Sequence, residues 1–347
     1  MSPHKIYICA YAVIMLALLA GGPDYWLAIS TENILIFAII FALPILALGH
    51  KSKFNTNQIA PPASFKKSGI FFWCATMFVV GLIGLLDGTA MLGLMRGESP
   101  NNLNEVSTFV GMLRGLNVTF FISAIALYAA GALTERKVFF LTLIEVLCFA
   151  KAQFILLLLV ALLCRRGVKP TGFGIIFISG ALCLGVFILR NGDFDAAVRS
   201  ITAYSTISAF KSVQLGVLDN IAMFSLDKMS IGLWLDQRDE ILGSVPVASS
   251  IEVTGRFGFV GASLFWIGVR VLGILGSATL RIGSGMYHYA DRIVQFIILY
   301  NVSTSMLLNT IFYPVFWIIP FFSILIVSSS YFAIIRGRRS HVEKKRN

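Results

Sequence analysis

Charged residues are scarce in this sequence. Only 13% of its 347 residues are Asp, Glu, Lys or Arg, whereas 57% are hydrophobic. Soluble globular domains carry charge on about a quarter of their residues. The composition therefore excludes a soluble globular protein and predicts an integral membrane protein.

Cysteine and histidine are also sparse. The five cysteines lie inside apolar runs and none is in CxxC spacing, which excludes a disulfide framework and a zinc-cysteine site. We expect them to be small core residues. The four histidines form no HExxH motif, and no GxxxxGK[ST] or GxGxxG follows a strand pattern. The sequence therefore predicts no metal, no cofactor and no nucleotide chemistry.

Long apolar runs are abundant. A helix needs roughly 17 to 25 apolar residues to cross a hydrocarbon core of about 30 Å. Eight runs reach or approach this length: Ile6–Ala20, Ile34–Leu48, Ile70–Leu86, Phe109–Leu133, Phe173–Leu189, Phe257–Gly276, Ile293–Leu308 and Pro314–Ile335.

The stretch 138–164 is apolar as well, but it contains Glu145 and Lys151 near its middle. As one helix it would place the basic residues on its two flanks on opposite sides of the membrane, against the positive-inside rule. As two short arms that meet at residues 150–152, it keeps both basic flanks in the cytoplasm. Each arm is roughly 20 Å long, so the hairpin has to lie in a thinned bilayer or line a wet cavity. We adopt the hairpin.

The predicted fold is all-α, with ten membrane crossings and both termini in the cytoplasm. Eighteen of the 28 Lys and Arg residues then face the cytoplasm, so orientation explains the net charge of +11 and we expect no nucleic-acid partner. We predict a single integral membrane domain over residues 1–347. It includes a large, partly helical extracytoplasmic loop over 190–256 and a basic cytoplasmic tail over 336–347.

A few cations lie where the bilayer makes charge costly. Arg or Lys at the centre of a spanning helix costs about 2.5 to 3.5 kcal/mol, so such residues are functional candidates. We expect four to converge in the outer leaflet, where guanidinium groups suit phosphate oxygens: Arg114, Lys151, Arg190 and Arg256. Alternatively, the last two mark the interface by snorkelling, and either of the first two pairs with Glu145.

External carboxylates are candidates for a general base, because a carboxylate near an acceptor hydroxyl can take its proton. Four of them follow Trp234: Asp236, Asp239, Glu240 and Glu252. For any one of them, a solvated loop position is the more ordinary role.

This arrangement resembles the oligosaccharide repeat-unit polymerases, the Wzy-type O-antigen polymerases of bacteria. The likeness lies in the number of spans, the cytoplasmic termini and the long external loop, and it covers residues 108–332 in order and spacing. The arms around Ala150-Lys151-Ala152 resemble the family's hairpin, although Lys151 stands where the family usually has Arg. The stretch 252–261, EVTGRFGFVG, resembles the family's entry into the span after the loop, and Arg114 in MLRG is similar to an arginine of an earlier span.

The resemblance implies a metal-independent inverting glycosyltransferase at the periplasmic face of the bacterial inner membrane. It would move a growing glycan from undecaprenyl pyrophosphate onto a second lipid-linked repeat unit. The four cations would bind the pyrophosphate, and Glu252 or Asp239 would be the base. Its partners would be the undecaprenyl-pyrophosphate-linked oligosaccharide and membrane lipid, and a chain-length regulator protein could join them.

Three other functions compete with this one. O-antigen ligases are usually described as using an external histidine, whereas all four histidines here fall on the cytoplasmic side of the predicted topology. A flippase or other transporter of lipid-linked sugars generally has two similar halves, which this chain lacks. A serotype-converting membrane glucosyltransferase more often has acidic residues in its first external loop, where only Asp24 and Glu32 occur.

Overall fold

The computed structural model describes residues 3–20, 31–49, 63–87, 108–149, 153–166, 248–284 and 287–306, with scattered residues between 177 and 197. Apart from short turns, these residues are helical. Within these described ranges, three helical stretches are long and apolar enough to cross a membrane: Phe65–Leu86, Thr108–Ala130 and Ser249–Ala278. The all-α class and the multi-pass membrane character are thus supported. The count of ten crossings stays a prediction, because the run 314–335 lies outside the described residues.

Eight α-helices have bounds in the described part of the chain. They are α1 (Pro3–Ala20), α2 (Thr31–Ala42), α3 (Ala63–Asp87), α4 (Thr108–Ala130), α5 (Glu135–Phe149), α6 (Gln153–Arg166), α7 (Ser249–Ser284) and α8 (Tyr287–Thr304). A short 3₁₀ helix, Leu43–Ala47, continues α2.

Large apolar side chains cover much of the outer surface of these helices. Leu85 is 85% exposed and Phe78 is 68% exposed on α3 alone. In water such a surface would drive association, whereas in lipid it is the face that a spanning helix presents. Cys9 and Cys74 are also exposed, so the prediction of core cysteines is wrong for these two and correct for the buried Cys164. A thiol is apolar enough for either environment.

The chain divides into two compact units. Unit 1 comprises Met1–Lys53, Asn191–Gly273 and Ile298–Tyr313, and unit 2 comprises Phe54–Arg190, Ile274–Ile297 and Pro314–Asn347. In unit 1, the hydroxyl of Tyr7 donates to the carbonyl oxygen of Phe41, which fastens α1 to α2. Unit 2 contains the four helices α3 to α6.

A glycine turn reverses the chain between α4 and α5. Gly131 has φ +105°, a backbone conformation that favours glycine. Its N–H donates to the carbonyl of Tyr128 at 2.9 Å, and the N–H of Ala132 donates to that of Leu127 at 2.8 Å. These two bonds form a Schellman motif, which satisfies carbonyl groups that the helix end would otherwise leave without donors. Helix α5 therefore runs back along α4.

The stretch 138–164 forms two helices, α5 and α6, as the hairpin interpretation predicts. The guanidinium of Arg165, near the end of α6, donates to the carbonyl oxygen of Leu133, just before α5, at 2.6 Å. It also lies 4.6 Å from the ring centroid of Tyr128. The two basic flanks of the stretch therefore meet at one end of unit 2. The connecting residues 150–152, and with them Lys151, lie outside the described residues.

Helix α7 begins at Ser249, eight residues before the start that the apolar run predicts at Phe257. Its first turns are polar, but hydrogen bonds to the end of α8 stabilise them. The backbone N–H of Ser250 donates to the carbonyl of Ser305 at 2.9 Å, and the hydroxyl of Ser250 donates to the same oxygen at 3.0 Å. The last residues of the predicted external loop are thus part of a helix.

Most of that loop and the tail 336–347 lie outside the described residues.

Candidate functional site

The basic ends of three helices mark one end of unit 2. Lys137 lies 5.7 Å from the ring centroid of Trp73 on α3, and its carbonyl oxygen accepts a hydrogen bond from the Trp73 indole at 3.0 Å. Gly69, nearer the beginning of α3, packs against Ala132 and Leu133 in the turn. With Arg165 at the same turn, this end collects the cations expected in the cytoplasm. We call it the basic end.

Phe149 and Phe154, the aromatic residues on either side of the connecting residues, mark the opposite end of unit 2, which we call the tip end. Phe149, the last residue of α5, packs against a buried cluster. Phe154, at the beginning of α6, has its ring centroid 4.7 Å from that of Phe121 on α4 and 6.4 Å from that of Phe149. The cluster consists of Val79 and Ile83 from α3 and Val110 and Leu113 from α4. Phe149 and Phe154, which residues 150–152 connect, therefore both pack against side chains of α4.

Arg114 follows Leu113 of this cluster, so its backbone lies at the tip end of unit 2. Its side chain is half-buried. A guanidinium held partly in an apolar surround interacts more strongly with an anion than one in bulk water, because water screens it less. The structure thus places the helix of Arg114 next to α5 and α6. The predicted convergence of Arg114 with Lys151 stays a prediction, because Lys151 lies outside the described residues.

A buried polar contact joins α4 to α5, and the sequence interpretation missed it. The amide Nδ2 of Asn117 donates to Oε2 of Glu145 at 2.9 Å, and neither side chain has any exposed surface. The sequence raised Arg114 or Lys151 as the partner of Glu145. Among the described residues the hydrogen-bond partner is Asn117, so an ion pair with Arg114 is not formed. Asn117 itself stands out only as an amide within an apolar run.

In unit 1, Glu252 and Arg256 form an ion pair one helical turn apart on α7. The guanidinium Nε donates to Oε1 of Glu252 at 2.8 Å, and Nη2 donates to the same oxygen. The Glu252 side chain is fully buried, whereas that of Arg256 is 23% exposed. Of the two, Arg256 is the one that a ligand can reach in this conformation. The carboxylate of Glu252 holds the guanidinium in place.

Helix α7 is interrupted two residues after Arg256. Gly258 has φ +66° and ψ −179°, a conformation that is essentially restricted to glycine. Its backbone divides α7 into a short polar segment and a long apolar one. Non-helical backbone at membrane depth is tolerated where protein or a water-filled cavity surrounds it, and broken helices are common in binding sites within membranes. The apolar run gives no sign of this break.

The remaining predicted site residues, Lys151, Arg190 and Asp239, lie outside the described residues. Within the described ranges, no group of three or more His, Cys, Asp or Glu side chains could hold a metal ion. Arg114 belongs to unit 2 and Arg256 to unit 1.

No family model, no curated protein and no solved structure matches this chain.

Proposed function

We propose that this chain polymerises oligosaccharide repeat units carried on undecaprenyl pyrophosphate, at the periplasmic face of the bacterial inner membrane. The observation that supports this function best is the packing of Phe149, at the end of α5, beside the helix of Arg114. Phe149 lies two residues before Lys151 in the sequence and packs against the cluster that includes Leu113, the neighbour of Arg114. A pair of cations at this depth suits a lipid-linked pyrophosphate, because its charge sits at the membrane surface and its lipid remains in the bilayer.

The orientation follows from the cations at the other end of unit 2. Arg165 and Lys137 meet at the basic end, where the positive-inside rule favours the cytoplasm. Arg114 and the hairpin tip then face the periplasm. The same rule underlies the proposal of ten crossings with both termini in the cytoplasm.

The proposed reaction is a glycosyl transfer with inversion. A hydroxyl of the lipid-linked acceptor sugar attacks C1 of the donor sugar, and the new C1–O bond forms as the bond from C1 to the pyrophosphate oxygen breaks. The electron pair leaves with the pyrophosphate, and the general base takes the hydroxyl proton. Negative charge grows on the leaving group in the transition state, so cations fixed around it lower the barrier.

Residue roles follow from this chemistry. Arg114, Lys151, Arg190 and Arg256 bind the pyrophosphate. The base is Asp239 or Glu252, and Glu252 can act only in a conformation that exposes its buried carboxylate. The guanidinium of Arg256 is partly exposed, so an anion can reach it, although Glu252 offsets part of its charge. The proposed function needs no metal and no nucleotide sugar, and a chain-length regulator is a protein partner that could act with it.

Deletion of the gene in its bacterial host tests the proposal. Lipopolysaccharide separated on a gel should then carry a single repeat unit in place of a ladder. Complete loss of repeat units would contradict the proposal and indicate export by a flippase. A normal ladder with altered serology would also contradict it and indicate a side-branch glucosyltransferase.

A further inference from the structure

The contact between Asn117 and Glu145 lies deep in unit 2. Asn117 is nine residues from the beginning of α4, roughly 14 Å along the helix. The amide and the carboxyl group have no exposed surface, and Leu141 and Val146 on α5 are also buried. Water therefore has no access to this carboxyl group.

Among the described residues, cations are distant from the carboxyl group, with one exception. Lys66 and Lys67 of α3, Arg136 and Lys137 of α5, and Arg165 of α6 belong to the basic end. Glu135 also lies there, where its carboxylate accepts a hydrogen bond from Tyr128 at 3.4 Å. The exception is Arg114, which precedes Asn117 by one turn of α4. On α5 itself, Cys148 follows Glu145 by one turn.

Nevertheless, Glu145 forms no ion pair within the described part of the chain. Its one hydrogen bond comes from the amide of Asn117, a neutral donor. An ionised carboxylate sealed from water needs a cation or several donors to offset its lost hydration. One neutral amide does not provide this, so the ionised form of Glu145 is strongly disfavoured.

The two remaining oxygens of the pair point to the same conclusion. Oδ1 of Asn117 and Oε1 of Glu145 are both buried, and neither has a hydrogen-bond partner among the described residues. Both are acceptors if Glu145 is ionised, and two buried acceptors without a donor are unfavourable. A protonated carboxyl group gains an O–H donor. One proton on Oε1 gives Glu145 a hydrogen to donate to Oδ1 of Asn117.

We infer that Glu145 binds a proton and forms a neutral carboxylic acid–carboxamide pair with Asn117. Two hydrogen bonds then join α4 to α5, one from the amide to Oε2 and one from the protonated Oε1 to Oδ1. Glu145 is thus a positioning residue that fixes the hairpin against α4. In the site proposed above, and resting on that proposed function, it does so without adding a negative charge one turn below Arg114, where a carboxylate would compete with an anionic ligand.

Infrared difference spectroscopy tests this inference without any substrate, so its outcome is independent of the proposed function. The purified full-length protein in lipid nanodiscs at neutral pH is compared with Glu145→Gln. The wild-type protein should show the carbonyl stretch of a protonated carboxyl group, and Glu145→Gln should lose it. Loss of carboxylate bands instead, with the protonated band unchanged, would overturn the inference. The matched control Glu135→Gln should leave the protonated band unchanged, because Glu135 lies outside the buried pair, at the partly exposed basic end.

A second variant keeps the test decisive if Glu145→Gln does not fold. Asn117→Val removes the amide that binds both oxygens of the acid. The band of the protonated carboxyl group should then shift to higher frequency, because its carbonyl loses a hydrogen bond. A band that stays at its wild-type position would contradict the pair.

Discussion

The guanidinium of Arg165 donates a hydrogen bond to the carbonyl oxygen of Leu133, at 2.6 Å, while it lies over the ring of Tyr128. This contact joins the end of α6 to the turn before α5. It fixes the direction of both hairpin arms relative to α4.

Replacement of Arg165 by alanine should lower the free energy of unfolding by about 2 kcal/mol, because a charge-assisted hydrogen bond and a cation–π contact are both lost. Thermal unfolding in detergent, followed by circular dichroism, measures the change. Arg136→Ala is the matched control, since Arg136 is exposed at the same end, and it should change stability by less than about 0.5 kcal/mol. Equal losses in the two variants would refute the role of Arg165.

Gly258→Ala should destabilise the protein by about 1 to 3 kcal/mol, because alanine does not tolerate the positive φ that breaks α7. There is space for the added methyl group, since nothing lies within 4 Å of its position. The control is Gly268→Ala on the same helix, where the space is also open and the backbone is helical. It should be neutral or stabilise by up to about 1 kcal/mol. If both variants melt alike, α7 is continuous in solution.

Replacement of Arg256 and replacement of Glu252, the two partners of the ion pair on α7, should lower the free energy of unfolding by different amounts. Arg256→Ala leaves the fully buried carboxylate of Glu252 without this cation, at a cost of about 3 kcal/mol. Glu252→Gln keeps an oxygen acceptor for the guanidinium and should cost about 1 kcal/mol. Thermal unfolding of both variants, with the exposed Arg270→Ala as control, measures this difference. A loss no larger in Arg256→Ala than in Arg270→Ala would show that the pair contributes nothing.

Arg114→Ala should reduce polymerisation about a hundredfold, the usual effect of removing one group that stabilises developing charge. Arg114→Lys should retain more activity because it keeps the charge, although it loses the forked geometry of the guanidinium. Each variant is expressed in the deletion strain at matched levels, and the ladder of lipopolysaccharide lengths is measured on gels. Arg270→Ala should leave the ladder unchanged. A full ladder from Arg114→Ala would exclude Arg114 from the site.

Charge distribution was sufficient to predict the hairpin. The positive-inside rule separates α5 from α6, and Arg165 is found at the turn before α5, as that rule requires. The helix that carries Arg114 also follows from its apolar run. Both features follow from the charge and hydropathy of one continuous stretch of sequence, so they can be predicted without knowing any contact between distant segments.

Other features depend on contacts between segments, so the sequence could not provide them. The partnership of Asn117 with Glu145 depends on how α4 and α5 align, and the polar beginning of α7 depends on Ser305 from α8. Gly255, Gly258 and Gly261 follow one another at three-residue spacing on α7, and nothing in that spacing tells which of them breaks the helix. The ion pair is compatible with the spacing of Glu252 and Arg256, but the burial of the carboxylate is not apparent from it.

Reconstitution tests the central claim most directly. The purified protein is placed in liposomes with undecaprenyl-pyrophosphate-linked repeat units, without metal ions or nucleotide sugars, and both glycan length and released undecaprenyl pyrophosphate are measured. The proposed function predicts glycans of two or more repeat units, with one lipid pyrophosphate released for each linkage formed. Repeat units that stay single, or that only cross the bilayer unchanged, would contradict it.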